Sequence, residues 1–333
     1  ARVDAGAYDF RRIVIGSSPT VGPGTLLLGA EVKGYDGPWD KPQDLEKVSG
    51  IGRYTWSMSS GHAFSILGMA YDNRWQSSDQ IPSRAVASGQ VSRFGQVDPT
   101  LGGSSSRYSL SGEWRRAQRT SFTRVRLYGV AYELDLVSNF TYFAADSVDG
   151  DQIEQVDKRS VVGLELSHRT QVGAHAVTGG LESRGDFIRD VGLHNTRQRA
   201  RVSTVREDQV TELSLGGYLS ADSRWNPMLR TEVGLRADVY SFDVDARTLP
   251  INSGTTSDAI VSPKLSVVVG PWQRMELYAN AGLGFHSNDA RGTTIVVDPT
   301  TGDAAQRVDP LVRSRGAELG LRASPVDGLR STV

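Results

Sequence analysis

The 333-residue sequence has no cysteine, almost no net charge and no long apolar run. The absence of cysteine excludes disulfides and thiolate metal sites. The absence of any run of about 18 apolar residues excludes a transmembrane helix. Because 37 Lys and Arg nearly balance 38 Asp and Glu, no bulk electrostatic field favours nucleic acid or acidic lipid as a partner.

What the sequence does contain is strict two-residue alternation, clearest between Met275 and His286. Apolar residues take every second position, namely Met275, Leu277, Ala279, Ala281, Leu283 and Phe285. The intervening positions are Glu276, Tyr278, Asn280, Gly282, Gly284 and His286. A period of two predicts a β-strand with one apolar and one polar face. The run is longer than an average strand of about five or six residues, and it suits a tilted bilayer crossing of about 9–11 residues.

The same alternation recurs along the chain, with charged residues on the face opposite the aliphatic ones. These charged residues are Glu31, Lys33, Glu165, Glu212, Glu232, Arg236, Asp238, Glu276, Glu318 and Arg322. A soluble sandwich, with the apolar face as its core, is a self-consistent alternative. In the segment Phe122–Val137 the alternation changes phase, which predicts a β-bulge at Gly129.

Connections of two lengths alternate between the predicted strands. The long connections are Gln76–Ser105, Ser138–Lys158, Arg189–Arg206 and Ser287–Val312. Trp56, Trp114, Trp225 and Trp272 lie near short turns, whereas Trp39 and Trp75 lie at the ends of long loops. Short periplasmic turns, long outer loops and aromatic girdles are typical of outer-membrane barrels. The prediction is therefore an all-β, antiparallel transmembrane β-barrel rather than a soluble sandwich.

Four segments resemble the barrel domain of TonB-dependent outer-membrane receptors. The strongest similarity lies in ELYANAGLGFHSNDARG and VDPLVRSRGAELGLR. Further similarity lies in GPGTLLLGAEVKGYDGPWDKPQDLEK and LVSNFTYFAADSVDGDQIEQVDKR, so that the resemblance extends over nearly the whole chain.

The resemblance implies a barrel of about 22 strands in the bacterial outer membrane, closed inside by an N-terminal plug domain. The pattern predicts only about 14 strands here, the last incomplete. Residues 1–333 are therefore expected to be part of one barrel domain, open because both ends are missing, without the plug and the closing strands. The implied partners are outer-membrane lipid, the plug, the energy-coupling protein TonB acting through the plug, and a small-molecule ligand.

The implied function is energy-coupled uptake of a scarce nutrient such as an iron–siderophore complex. Aromatic and Arg side chains are enriched at recognition hot spots, which points to two loop regions as ligand contacts. The candidate residues are Asp36, Trp39, Arg74, Trp75, His286, Asn288, Asp289 and Arg291. Girdle packing and hydrogen bonding at the loop bases are the alternative roles for these residues.

No catalytic residue, cofactor or metal site is predicted. The five histidines lack a metal-ligand spacing such as HExxH, and no GxSxG motif is present. A passive porin remains an alternative function, and an outer-membrane hydrolase is disfavoured because no catalytic triad is recognisable.

Overall fold

The computed structural model describes residues 1–324 and 326–333, which form a single antiparallel sheet of 16 strands. The strands are β1 (Arg2–Gly6), β2 (Phe10–Ser17), β3 (Thr20–Val21), β4 (Gly24–Tyr35), β5 (Leu45–Ser57), β6 (His62–Gln76), β7 (Gly102–Ala117), β8 (Ser121–Ser138), β9 (Ile153–Val172), β10 (His175–Arg197), β11 (Ala200–Asn226), β12 (Leu229–Ala246), β13 (Gly254–Trp272), β14 (Met275–Ser287), β15 (Leu311–Ala323) and β16 (Ser331–Thr332). Two short helices, α1 (Ser83–Ala87) and α2 (Ala290–Thr294), and a 3-10 helix (Pro250–Asn252) lie in the connections. No helix in the described residues is long and apolar enough to cross a membrane.

The strands pair in chain order, except that β2 pairs directly with β4 and the two-residue β3 pairs only with β4. Within the described residues β1 does not pair with β16, so the sheet is open. The predicted first strand, Val3–Gly16, is divided into β1 and β2 by a turn at Tyr8 and Asp9, which both have positive φ. This division and the short β3 account for the two strands beyond the expected number.

The two faces of the sheet carry the residues that the two-residue alternation predicts for them, aliphatic on the outer face and charged on the inner face. On the outer face Leu215, Leu235 and Leu277 are 56%, 54% and 40% exposed, and many further aliphatic side chains accompany them. The inner face carries Glu276, which pairs across the strands with Arg322. Soluble monomers rarely expose a continuous aliphatic surface of this extent, whereas a membrane barrel exposes one to lipid. The all-β antiparallel prediction is confirmed.

Aromatic side chains collect on the outer face beside the short turns, at the edge that we call the short-turn rim. The Trp56 ring stacks on Phe64 with centroids 5.2 Å apart, and the Trp114 indole Nε1 donates a hydrogen bond to His62 Nδ1 at 3.1 Å. Trp225 Nε1 donates to Thr231 at 2.9 Å. An indole ring whose N–H is hydrogen-bonded is suited to a membrane–water interface, because the rest of the ring remains free to contact the apolar phase.

The hairpin β10–β11 corrects one prediction. Residues Arg189–Arg206, expected to be a polar loop, continue both strands up to a tight turn at Gln198 and Arg199, whose φ angles are 52° and 67°. Positive φ at both central residues matches the turn type preferred in two-residue hairpins. The strands are 23 and 27 residues long, at least twice what a bilayer crossing requires. This hairpin therefore extends well beyond the membrane at the opposite edge, the long-loop rim.

The bulge predicted at Gly129 is also wrong. Strand β8 pairs with β7 and β9 without any shift of register at Gly129. Leu127 lies on the outer face, whereas Leu134 and Leu136 lie on the inner face nearer the long-loop rim. The apolar residues therefore change phase because the surroundings of the two faces change along the strand. A register shift is present instead in β10, between Ile188 and Val191.

Candidate functional site

The inner face is lined by chains of ion pairs that cross neighbouring strands. Arg236 joins Glu182 at 2.8 Å and Asp238 at 2.7 Å. Glu31 accepts from Lys47 at 2.8 Å and also pairs with Arg12. Charges that satisfy one another in this way keep the inner face polar and hydrated, which suits a lumen rather than a dry core.

A cavity of about 520 Å³ lies on the inner face of β2 and β4–β7, towards the long-loop rim. Glu31, Lys47, Tyr71 and Arg107 contribute polar side chains, and the Lys47 ammonium lies 5.9 Å from the centroid of the Tyr71 ring. Val14, Ile51 and Met69 supply an apolar floor. The sequence did not reveal this cavity, because its residues come from separate strands whose register the alternation does not determine.

A second cavity of about 610 Å³ lies at the long-loop rim, beside the ends of β6–β9, and two of the predicted ligand contacts line it. Arg74 and Trp75 line it together with Asp135, Glu154 and Arg199. Arg74 is also held by an ion pair to Glu46, and its side chain is 70% exposed. The cavity thus contains charges of both signs beside one indole ring.

Two further candidates, Asp36 and Trp39, lie in the connection between β4 and β5. The Trp39 ring packs edge-on against Phe94 of the β6–β7 loop, with centroids 6.3 Å apart. The backbone N–H of Asp36 donates to the Tyr8 carbonyl at 2.9 Å, and the Asp36 carbonyl accepts from Gln43 at 2.8 Å. These contacts join the loop bases of β1–β2, β4–β5 and β6–β7 into one packed group.

The remaining candidates lie at the end of β14 and in the β14–β15 loop. Asp289 caps α2 by accepting from the Arg291 backbone N–H at 2.9 Å, and the Arg291 guanidinium holds the same carboxylate at 2.6 Å. Burial opposes ionisation of Asp289, but the bonds from Arg291 outweigh it and lower the pKa of this carboxyl. Asn288 Nδ2 donates to the Asp309 carbonyl at 2.7 Å, and His286 is exposed on the inner face opposite Val312.

An apolar cluster fixes the β14–β15 loop against the sheet. Ala290 is fully buried among residues of β10, β11 and β12, which are Ile188, Val210, Phe242, Val244 and Ala246. Asn252, only 2% exposed, accepts from the backbone N–H groups of Val296 and Val297 and donates to the Val297 carbonyl at 2.8 Å. The loop therefore covers part of the inner face near the long-loop rim.

The candidate residues form two groups rather than one. Asp36, Trp39, Arg74 and Trp75 lie around β4–β7, whereas His286, Asn288, Asp289 and Arg291 lie around β14–β15. Between these groups, in the described part of the chain, we find no hydrogen bond or ion pair. Nor do residues 1–324 and 326–333 contain a group of three or more His, Asp or Glu side chains placed to hold a metal ion.

Solved structures share this fold. The ferric citrate transporter FecA in its unliganded form matches with a TM-score of 0.74 at 13% identity, over 97% of this chain and 47% of that chain. The copper transporter OprC matches with a TM-score of 0.75 at 14% identity, over 99% and 51%. The ferric yersiniabactin uptake receptor FyuA from Yersinia pestis matches with 0.70 at 13% identity, over 96% and 50%.

At these identities the likeness shows the fold alone, and the chain spans about half the length of these structures. A comparison with curated protein sequences finds no match. The family described as TonB dependent receptor-like, beta-barrel, matches residues 35–333. This match covers most of the chain and agrees with the open antiparallel sheet, its aliphatic outer face and its charged inner face. The chain therefore belongs to the TonB-dependent receptor-like β-barrel family, whose members lie in the outer membrane of bacteria.

Proposed function

We propose that this chain forms part of the wall of an outer-membrane receptor for energy-coupled uptake of a scarce nutrient, such as an iron–siderophore complex. The family match over residues 35–333 carries the proposal. The inner face supports it, because interlocked ion pairs suit a lumen that holds water and another protein domain. FecA and OprC are transporters and FyuA is an uptake receptor, which agrees with a transport role rather than an enzymatic one.

In this proposal residues 1–333 are part of one barrel domain, and a plug domain and further wall strands belong to the same protein. An open sheet supports this view, because unpaired backbone groups at a sheet edge are costly in hydrocarbon. The plug would contact the charged inner face, and the inner-membrane energy-coupling protein TonB would act through the plug. Outer-membrane lipid would cover the aliphatic outer face.

The ligand contacts in this proposal lie at the long-loop rim, in the two groups described above. Trp75 and Arg74 offer an indole and a guanidinium to the second cavity, and Trp39 and Asp36 lie in the adjacent loop. His286 is exposed on the inner face, while Asn288, Asp289 and Arg291 shape the loop beside it. The first group lies at the long-loop rim of β4–β7 and the second at that of β14–β15.

Uptake of radiolabelled ferric chelates by cells producing the full-length protein tests the proposal. Uptake should require the protein and should stop when the inner-membrane proton gradient is dissipated or the coupling protein is deleted. A matched strain that lacks only the full-length protein gives the background. Uptake that continues without the gradient would instead identify a passive porin, because diffusion through an open channel needs no energy.

A further inference from the structure

We propose that the outer face of β6–β9, beside the short turns, binds the phosphodiester headgroup of an anionic phospholipid in the periplasmic leaflet. We call this the outer-rim headgroup site and define it by His62, Arg116, Thr123 and His168. The inference concerns the membrane around the barrel and not the cargo inside it, so it does not depend on the proposed uptake. None of the predicted ligand contacts belongs to this site.

The four residues form one cross-strand row on the outer face. His62 of β6 lies directly opposite Arg116 of β7. Thr123 of β8 lies on the other side of Arg116 and pairs in turn with His168 of β9. Cross-strand partners have Cβ atoms about 4.5–5.5 Å apart. Arg116 shares its face with Leu110, six positions away and 62% exposed, so the row belongs to the surface that faces lipid.

The row lies at one boundary of the apolar band. Ten positions along β7 from Arg116, the outer face becomes polar again at Ser106, which lies between Asp72 and Glu133. At about 3.3 Å per residue, ten residues span about 33 Å along the strand. A strand tilt of about 35–45° reduces this to about 25 Å of height, the usual thickness of the apolar band of an outer-membrane barrel. The row therefore lies at headgroup depth on the short-turn side, which is the periplasmic side.

Arg116 carries a charge that the described residues do not neutralise. It forms no ion pair with any of them, and none of their Asp or Glu side chains lies on the outer face of β5–β10 within the apolar band or in the short turns 58–61 and 118–120. Its neighbour Arg115 shows the contrast on the inner face, where it pairs with Glu113 at 2.8 Å. A fixed cation at headgroup depth attracts anionic lipid, so the membrane can supply the missing charge.

The row supplies hydrogen-bond donors as well as charge. Trp114 Nε1 donates to His62 Nδ1 at 3.1 Å, so the proton of the neutral imidazole lies on Nε2 and is available to a ligand. Thr123 Oγ1 and His168 Nδ1 lie 2.8 Å apart and share one hydrogen bond. Whichever of these two groups donates, the other residue retains an O–H or N–H for a ligand. With the planar guanidinium of Arg116, these donors match the oxygens of a phosphodiester.

The surroundings of the row select an anionic headgroup that carries acyl chains. The rings of His62 and Trp114 stack with centroids 5.7 Å apart, and those of Trp56 and Phe64 stack at 5.2 Å. Trp114 lies opposite Val125, so apolar side chains adjoin the row towards the membrane centre. Inorganic phosphate would leave this surface without a partner. The ammonium of phosphatidylethanolamine would find no carboxylate here, whereas phosphatidylglycerol carries no ammonium.

Native mass spectrometry of the purified full-length protein in detergent tests the proposal. The protein is mixed with equal amounts of phosphatidylglycerol and phosphatidylethanolamine that have identical acyl chains, and the ratio of the two bound lipids is measured. The unaltered protein should retain more phosphatidylglycerol, and Arg116→Gln should lower that preference about tenfold or more. Arg115→Gln is the matched control, because Arg115 lies beside Arg116 but on the inner face, and it should leave the ratio unchanged.

Charge reversal separates loss of the site from loss of folding. Arg116→Glu should prefer phosphatidylethanolamine, because the ammonium of that headgroup would then meet a carboxylate. An unfolded protein cannot acquire the opposite preference. Arg116→Glu that still prefers phosphatidylglycerol would overturn the site.

Inorganic phosphate distinguishes a lipid site from a site for a free anion. In large excess over the lipid it should not displace phosphatidylglycerol, because it cannot cover the apolar surface beside the row. Displacement would assign the row to a free anion and overturn the lipid site. Equal retention of both lipids by the unaltered protein, or equal losses of preference in Arg115→Gln and Arg116→Gln, would overturn it as well.

Discussion

Single carboxylates hold the outer loops in shape by accepting several backbone bonds. In the β8–β9 loop the Asp151 carboxylate accepts from the backbone N–H of Asp146 at 2.7 Å and from that of Ala144 at 2.8 Å. These bonds favour the ionised form and lower the pKa of Asp151 to about 2. One side chain thus organises a turn whose sequence resembles an ordinary polar loop.

The loop is expected to loosen in acid. Because the folded pKa is depressed, the stabilising contribution of Asp151 is present above the unfolded value of about 3.9 and is lost as the pH falls towards about 2. Pepsin cleavage within residues 139–152, mapped by mass spectrometry and normalised to cleavage in residues 36–44, should rise over this interval. Asp151→Asn should already be cleaved rapidly at the upper end.

Asp149→Asn provides the control for that experiment. Asp149 lies in the same loop, but its carboxylate contacts the Arg197 guanidinium at 3.1 Å. Its substitution should leave the pH dependence in place. A pepsin profile that is the same for the unaltered protein and Asp151→Asn would contradict the role given to Asp151.

Asn252 contributes more to local stability, because it is buried and hydrogen-bonds the β12–β13 connection to the β14–β15 loop. We expect Asn252→Ala to leave the backbone groups of Val296 and Val297 unpaired, at a cost of about 1–3 kcal/mol for each buried group. Trypsin cleavage after Arg307 should accelerate about tenfold or more, because lowering the free energy of local opening by about 1.4 kcal/mol raises the open population tenfold. Asn288→Ala, which loses a single exposed bond, should accelerate it less.

At the scale of one strand, β12 shows how the surroundings of a face change along its length. Its inner face passes from Arg236 and Asp238 to Phe242 and Val244, which are buried under the β14–β15 loop. Its outer face passes in the same direction from Leu235 to Asp243. The change marks where the strand leaves lipid for water, and where a loop begins to cover its inner face.

Cysteine labelling locates this boundary. In the full-length protein on intact cells, a membrane-impermeant maleimide should modify Asp243→Cys but neither Leu235→Cys nor Val244→Cys. Lipid shields the first of the protected positions and the β14–β15 loop shields the second. Unaltered protein sets the background, and denaturation should expose all three thiols equally. Rapid labelling of Leu235→Cys on cells would place the membrane boundary elsewhere.

At the scale of the whole molecule, the open sheet sets the folding requirement. Strands β1 and β16 leave one edge each without a partner among the described residues. Each unpaired backbone group costs several kcal/mol in hydrocarbon, and strand number, tilt and stagger are linked in a closed barrel. The wall is therefore expected to need further strands for stable insertion.

Residues 1–333 expressed alone should fail to insert as a stable barrel and should aggregate through their edges. The measurement is the heat-dependent gel shift of folded outer-membrane barrels, with the full-length protein as the positive control. A clean shift of the 333-residue chain, or single-channel conductance of one uniform size, would show that it closes on itself as a narrower barrel.

The sequence by itself determined the strands that cross the membrane and the face that each residue takes. Lipid on one side and water on the other impose a period of two, so Leu277 and Glu276 are distinguishable without a structure. Where both faces are wet or covered by loops this contrast disappears. The strand extension through Arg189–Arg206 was therefore missed, and a change of phase near Gly129 was misinterpreted as a bulge.

Only the tertiary structure decided which residues become neighbours across strands. Alternation records the surroundings perpendicular to the sheet, whereas the row that places His62, Arg116 and Thr123 side by side depends on the register of the hydrogen-bond ladders. The insertion of Ala290 into the cluster around Phe242 likewise depends on how a loop folds back over distant strands. Contacts of this kind join residues far apart in the chain, and so no local pattern records them.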